Sequence, residues 1–112
     1  MRFCPWYPLA EAAQHAPAED GVLQIRIAAG LLDYPTGKSA MVHYAHAPDV
    51  RAYATRLSRE RGGEALLCRH LEIEVGERVD AAAFHAKVTE EFIRRFGSEP
   101  TFPPCISSKP RP

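Results

Sequence analysis

Net charge is the first thing this chain of 112 residues lacks: 14 basic and 14 acidic side chains cancel, and the pI lies near 7. A balanced chain exerts no global pull on nucleic acid, so any such binding depends on a local patch. Paired cysteines are missing too. Cys4, Cys68 and Cys105 are odd in number and share no CxxC spacing, which argues against a disulfide framework and for a reducing compartment. No stretch approaches the roughly 20 apolar residues that a membrane-spanning helix needs. The opening Met1-Arg2-Phe3-Cys4-Pro5-Trp6 has no apolar core of a secretion signal. Together these absences lead to the expectation of a soluble, cytoplasmic protein with no membrane partner.

What is present is ordinary globular material: 46% apolar and 25% charged residues. The length suits one domain, expected over residues 1–104, with 105–112 as a flexible Pro-rich tail. Pro8 to Ala16 is Ala-rich and reads as a helix ended by Pro17. Residues 22–28 alternate Val22, Gln24 and Arg26 against Leu23, Ile25 and Ile27, the pattern of a half-buried strand. Tyr34-Pro35-Thr36-Gly37 signals a turn, and residues 40–45 form a second strand, antiparallel to the first. A helix runs from 49 to 61 with Val50, Tyr53, Ala54 and Leu57 on one face. The longest strand, 65–75, sets Leu67, Arg69, Leu71, Ile73 and Val75 against Cys68, His70, Glu72 and Glu74, and the second set is expected to face solvent over at least part of its length, with Cys68 partly buried. A helix from Asp80 to Phe96 carries Phe84, Val88 and Phe92, with Asp80 as N-cap and Gly97 at its end. The expected fold is α/β, of the α+β type: a small, mainly antiparallel three-stranded sheet flanked by helices.

Three groups of residues invite a chemical reading. Gly37-Lys38-Ser39 has the ending of a phosphate loop, but Leu32 stands where that motif needs Gly and the segment leads into a strand, so a hairpin turn is expected. His43, His46, Cys68, His70 and Glu72 contain metal-ligand types without the spacing of a zinc signature, and read as ordinary strand residues. Cys68 has no base to activate it as a nucleophile. The run Arg51, Arg56, Arg59 and Arg61 is offset only by Glu60. Arg56 and Arg59 lie close on the helix surface and suit a phosphate backbone, whereas Arg51 is about 140° away from Arg56.

The layout Gly21-Val22-Leu23, then Tyr44-Ala45 beside the Asp49-Val50 helix start, then Phe96-Gly97-x-x-Pro100 resembles the GIY-YIG nuclease domain over about Gly21 to Pro103. The resemblance implies two motif tyrosines, a helix arginine and a last-helix glutamate that holds a divalent metal. The first tyrosine maps to Leu23. The second maps to His43, or to Tyr44 with a one-residue shift. The arginine maps to Tyr53, with Arg56 one turn further on. The metal ligand falls near Lys87 or Thr89, with Glu90 and Glu91 close by.

The resemblance therefore implies a fold kept for binding nucleic acid or protein after loss of nuclease activity, with no cofactor. Arg51, Arg56, Arg59 and Arg61 are then the nucleic-acid-binding residues. A divergent Mg²⁺-dependent DNA endonuclease is the alternative, using His43, Tyr44, Arg56 and Glu90 or Glu91 gathered around one cleft. An unrelated small protein-interaction module is the third reading. Successive strand residues point to opposite faces, so only one of His43 and Tyr44 can enter any given cleft.

Overall fold

A computed structural model describes residues 1–62 and 64–103; Gly63 and the expected tail at 105–112 lie outside the described residues. The order is β1 (Arg2–Phe3), β2 (Tyr7–Pro8), a 3₁₀ turn (Leu9–Glu11), α1 (Ala12–His15), β3 (Gly21–Ile27), β4 (Leu32–Tyr34), β5 (Gly37–Ser39), β6 (Met41–Ala47), α2 (Val50–Glu60), β7 (Leu66–Glu72) and α3 (Ala81–Phe96). The chain is α+β, with antiparallel pairing throughout the described strands.

The three long strands fall where their period-2 patterns put them, with β3 between β7 and β6. The sheet has five strands rather than the expected three, because β1 and β2 both pair with the outer edge of β7. An unpaired edge leaves a row of N–H and C=O groups without partners, and the N-terminal segment supplies them. Phe3 pairs with Leu71 and Tyr7 with Cys68, so Cys4, Pro5 and Trp6 stand opposite only Arg69 and His70. The extra residue bulges the edge at Pro5, which has no N–H to donate.

Helices cover both faces of the sheet. On one face Leu23, Ile25, Ala45 and Cys68 pack with Val50 and Ala54 of α2 and with Tyr7, Leu9 and Ala12. On the other, Val22 and Leu71 meet Ala81 and Phe84 of α3, and Tyr34, Tyr44, Phe92 and Phe96 form an aromatic cluster. Two-sided cover corrects the half-buried reading of β3: Val22, Leu23 and Ile25 are 0% exposed and Gln24 only 4%. The expected solvent side of β7 is limited to its far end, where Glu72 and Glu74 are exposed. Cys68 is 0% and His70 8% exposed, because Tyr7 and Cys4 close over them, while Val75 is fully exposed beyond the end of β7.

Both long helices start at an aspartate cap. Asp49 accepts from the Ala52 N–H and Asp80 from the Ala83 N–H, satisfying donors that a helix start leaves open. At the other end of α3, the β4–β5 hairpin supplies the cap. The Thr36 N–H donates to the Phe96 carbonyl and the Thr36 hydroxyl to that of Arg95. Lys38, the lysine of the phosphate-loop lookalike, sits in β5 and is paired with Asp33.

Gly97 closes this junction at φ +88°, where an added Cβ would lie 2.8 Å from Pro35 Cβ. Gly97→Ala combines left-handed strain with that clash, and should cost roughly 2 kcal/mol of stability. Urea unfolding monitored by circular dichroism checks this; a midpoint equal to the parent's would sink the account.

Candidate functional site

The period-2 rule separates the two candidates for the second tyrosine position. His43 pairs with Ile25 on the α2 face, and Tyr44 pairs with Gln24 on the α3 face. At the first tyrosine position Leu23 is wholly buried in the α2-side core, so it offers neither a hydroxyl nor access.

His43 is built into a column of rings. Its Nε2 is hydrogen-bonded to the Tyr53 hydroxyl at 2.7 Å, and the two rings are nearly parallel, 3° apart in plane with centroids 6.0 Å apart. Phe102 stacks on His43 at 5.2 Å, and the Arg61 guanidinium lies 3.6 Å over Phe102. Arg56 closes the other end, 5.4 Å from the Tyr53 ring centre. Burial lowers the His43 pKa, and the charge of Arg61 adds to this. Burial also raises the Tyr53 phenol. The imidazole is thus neutral near pH 7, and its Nε2 is engaged by a phenol that keeps its proton. No water-activating base follows from that arrangement.

The structure brings His43, Arg56 and Arg61 together but not the glutamates. Glu91 lines a groove on the opposite face with Gln24, Tyr44, Val88, Phe92, Arg95 and Phe96, and Glu90 is exposed and does not line it. The expected single cleft holding His43 or Tyr44, Arg56 and a last-helix glutamate is therefore corrected: the sheet stands between the two halves. A Mg²⁺ ion asks for several oxygen donors in near-octahedral array, whereas Glu91 shares its groove with the Arg95 guanidinium. The residues present do not fit that ion. Among the described residues no group of three or more His, Cys, Asp or Glu side chains is placed to hold a metal. His46 is bound to Asp20.

The arginine run of α2 is largely committed within the chain. Arg51 Nε donates to the Ala16 carbonyl at 2.7 Å, away from its neighbours. Arg61 pairs with Glu64 at 3.1 Å, and Arg56 Nε lies 4.0 Å from Glu60. Arg59 is exposed in the last turn.

Two features escaped sequence reasoning. Tyr53 stands at the mapped arginine position, and its bond to His43 joins residues of different elements that no local pattern links. The second is a buried polar chain in which Tyr7 hydroxyl meets His70 Nδ1 at 3.0 Å, with Cys4 Sγ 3.4 Å from the same nitrogen and Cys68 Sγ 3.6 Å from the phenol. Burial raises the Cys4 thiol and pushes Cys68 up to about 12, so neither is a thiolate near neutrality. Burial also raises the Tyr7 phenol and lowers His70.

Comparison with protein-family profiles, curated proteins and solved structures finds no significant match to this chain. Among the described residues, no helix is long and apolar enough to cross a membrane.

The two lowered histidines make stability depend on pH. Below the ordinary value of 6.5 the unfolded chain takes up protons that folded His43 and His70 resist. Stability is therefore present above that value and is lost as pH falls towards the folded ones. Urea midpoints should drop between about pH 7.5 and pH 5.5, and the drop should shrink in His70→Gln and in His43→Gln. An unchanged pH slope in both variants would remove the histidines as its cause.

Proposed function

We propose that this chain is a GIY-YIG-like domain that binds a partner, nucleic acid or protein, and does not cleave nucleic acid. One observation carries the reading: the candidate catalytic groups lie on opposite faces of one sheet, His43 and Arg56 against α2, Tyr44 and Glu91 against α3. In-line hydrolysis of a phosphodiester needs a water-orienting group, a cation and a metal around one phosphate, and a sheet between them keeps them apart. The resemblance itself draws support from the antiparallel β3–β6 pair followed directly by α2, and from α3 ending at Gly97. The His43 column contributes rigidity. It ties β6, α2 and the segment after α3 into one stack, with an arginine at each end.

The test is direct. Purified protein is incubated with single-stranded, duplex and branched DNA in Mg²⁺ and in Mn²⁺, beside a His43→Ala, Arg56→Ala double variant. Intact substrate in every lane is the expected result. Metal-dependent cleavage that the double variant loses would overturn the reading in favour of a divergent endonuclease.

A further inference from the structure

Three arginines without an ion pair among the described residues lie on the α3 face of the sheet, away from the arginine run of α2. Arg69 of β7, Gln24 of β3 and Tyr44 of β6 are direct cross-strand partners and form one row. Arg69 Nε donates to Gln24 Oε1 at 2.8 Å, which fixes the guanidinium in that row and satisfies the acceptor of the buried amide. The same guanidinium lies over two rings of the N-terminal segment, 4.5 Å from Phe3 and 4.4 Å from Trp6. Arg26 lies over Trp6 as well, at 4.8 Å. At the other end of the row, Arg95 lines the groove that holds Gln24 and Tyr44.

Three cations thus follow one face, and none of Arg26, Arg69 and Arg95 forms an ion pair among the described residues. Two of them share one indole, a like-charge arrangement that costs energy unless an anion joins it. Arg26 Nε is in addition buried with no acceptor among the described residues. Burial, with the charge of Arg26 adding to it, draws the Arg69 pKa below its usual range. The one carboxylate lining the Arg95 groove is Glu91.

We infer that this face, from Trp6 and Arg26 through Arg69, Gln24 and Tyr44 to Arg95, is a binding site for single-stranded nucleic acid. The inference takes its ligand class from the binding reading above but uses none of the motif residues except Tyr44. Guanidinium groups on one face suit phosphates, which they can hold in a bidentate manner. Phe3 and Trp6 hold these guanidinium groups over their rings, and an unpaired base can stack on a guanidinium plane as a duplex's bases do not. The half-buried Tyr44 phenol, which burial raises and which therefore keeps its proton, adds a neutral hydrogen-bonding group beside the cations, while Gln24, 4% exposed, serves to hold Arg69 in place. α3 packs against β3, β5 and β6 and does not project as a helix for a major groove.

Trp6 is the only tryptophan in the chain, so its emission reports on this face alone. Titration with an oligothymidylate of about 12 nucleotides should quench Trp6. The affinity should fall with salt at a log–log slope of about −2, as expected for three phosphates on a single strand. Arg69→Gln and Arg95→Gln should each weaken binding about tenfold and make the slope shallower by about 0.7. Arg95 is exposed on α3, so its variant tests the site without disturbing the core. Arg59→Gln on α2 should leave affinity and slope unchanged. Equal binding in Arg95→Gln and the parent would overturn the assignment, as would loss of binding in Arg59→Gln instead. So would a duplex bound as tightly as the single strand, or inorganic phosphate quenching Trp6 at the same concentration. Absence of binding by the parent would also overturn it. Each of these outcomes is separate from the cleavage assay, which alone decides the non-cleaving reading.

Discussion

Everything in this molecule is arranged around a strand that has no solvent face. In β3, four consecutive residues, Val22 to Ile25, are each at most 4% exposed. Burying each of the three aliphatic side chains contributes about 1.5–3 kcal/mol, but the strand then requires cover on both sides and paired neighbours on both edges. α2 and the N-terminal turn supply one cover and α3 the other. β6 and β7 supply the hydrogen bonds. Gln24 is the polar exception, and a buried amide without a partner costs about 1–3 kcal/mol. Its acceptor is met by Arg69, and this need is what anchors a cation in the middle of the α3 face.

The N-terminal segment follows from the same constraint one strand further out. Leaving β7 as an edge would expose its outer row of backbone groups, and the pairing of residues 2–3 and 7–8 covers that row. Because the segment is itself extended, it delivers side chains to both faces at once. Cys4 and Tyr7 close the polar chain around His70 and Cys68 on the α2 side. Phe3 and Trp6 take the Arg69 guanidinium on the α3 side. The three-against-two bulge at Pro5 makes both possible, since it resets the alternation between Phe3 and Tyr7.

Long elements were legible in the sequence because their signals are redundant: period, caps and terminal glycine agree for β3, α2 and α3. The division of His43 from Tyr44 was legible too, since it needs only strand alternation. What stayed hidden was set by partners distant in sequence. Strands of two residues, such as β1, carry no period, and proline in β2 argues against a strand at all. How far burial extends over Cys68 and His70 was not legible, because residues more than sixty positions earlier in the chain close over them. The ring column at His43 depends on Phe102, whose place after α3 no local pattern announces. The run of arginines on α2, conspicuous in sequence, is mostly occupied in the fold. Arg26 and Arg69, inconspicuous and 43 positions apart, converge on Trp6.

Net charge is a statement about distance, not about any particular surface. Zero formal charge removes steering over lengths beyond the Debye length, about 8 Å at physiological salt, but leaves local potential to the fold. Here three carboxylates and two arginines lie at different places along the same strands. Glu19, Asp20 and Glu72 line one hollow, where β3 begins and β7 ends, and His46 there is already paired with Asp20. Further along the same strands come Arg69, opposite Gln24, and then Arg26, without a carboxylate partner among the described residues. A ligand carrying several phosphates would meet attraction only after contact, so it would gain little in association rate and more in residence time. Such a surface favours a partner held close by other means, or one abundant enough that steering is unnecessary. In either case the neutral total is compatible with an anion site, because none of Arg26, Arg69 and Arg95 is held by a carboxylate among the described residues.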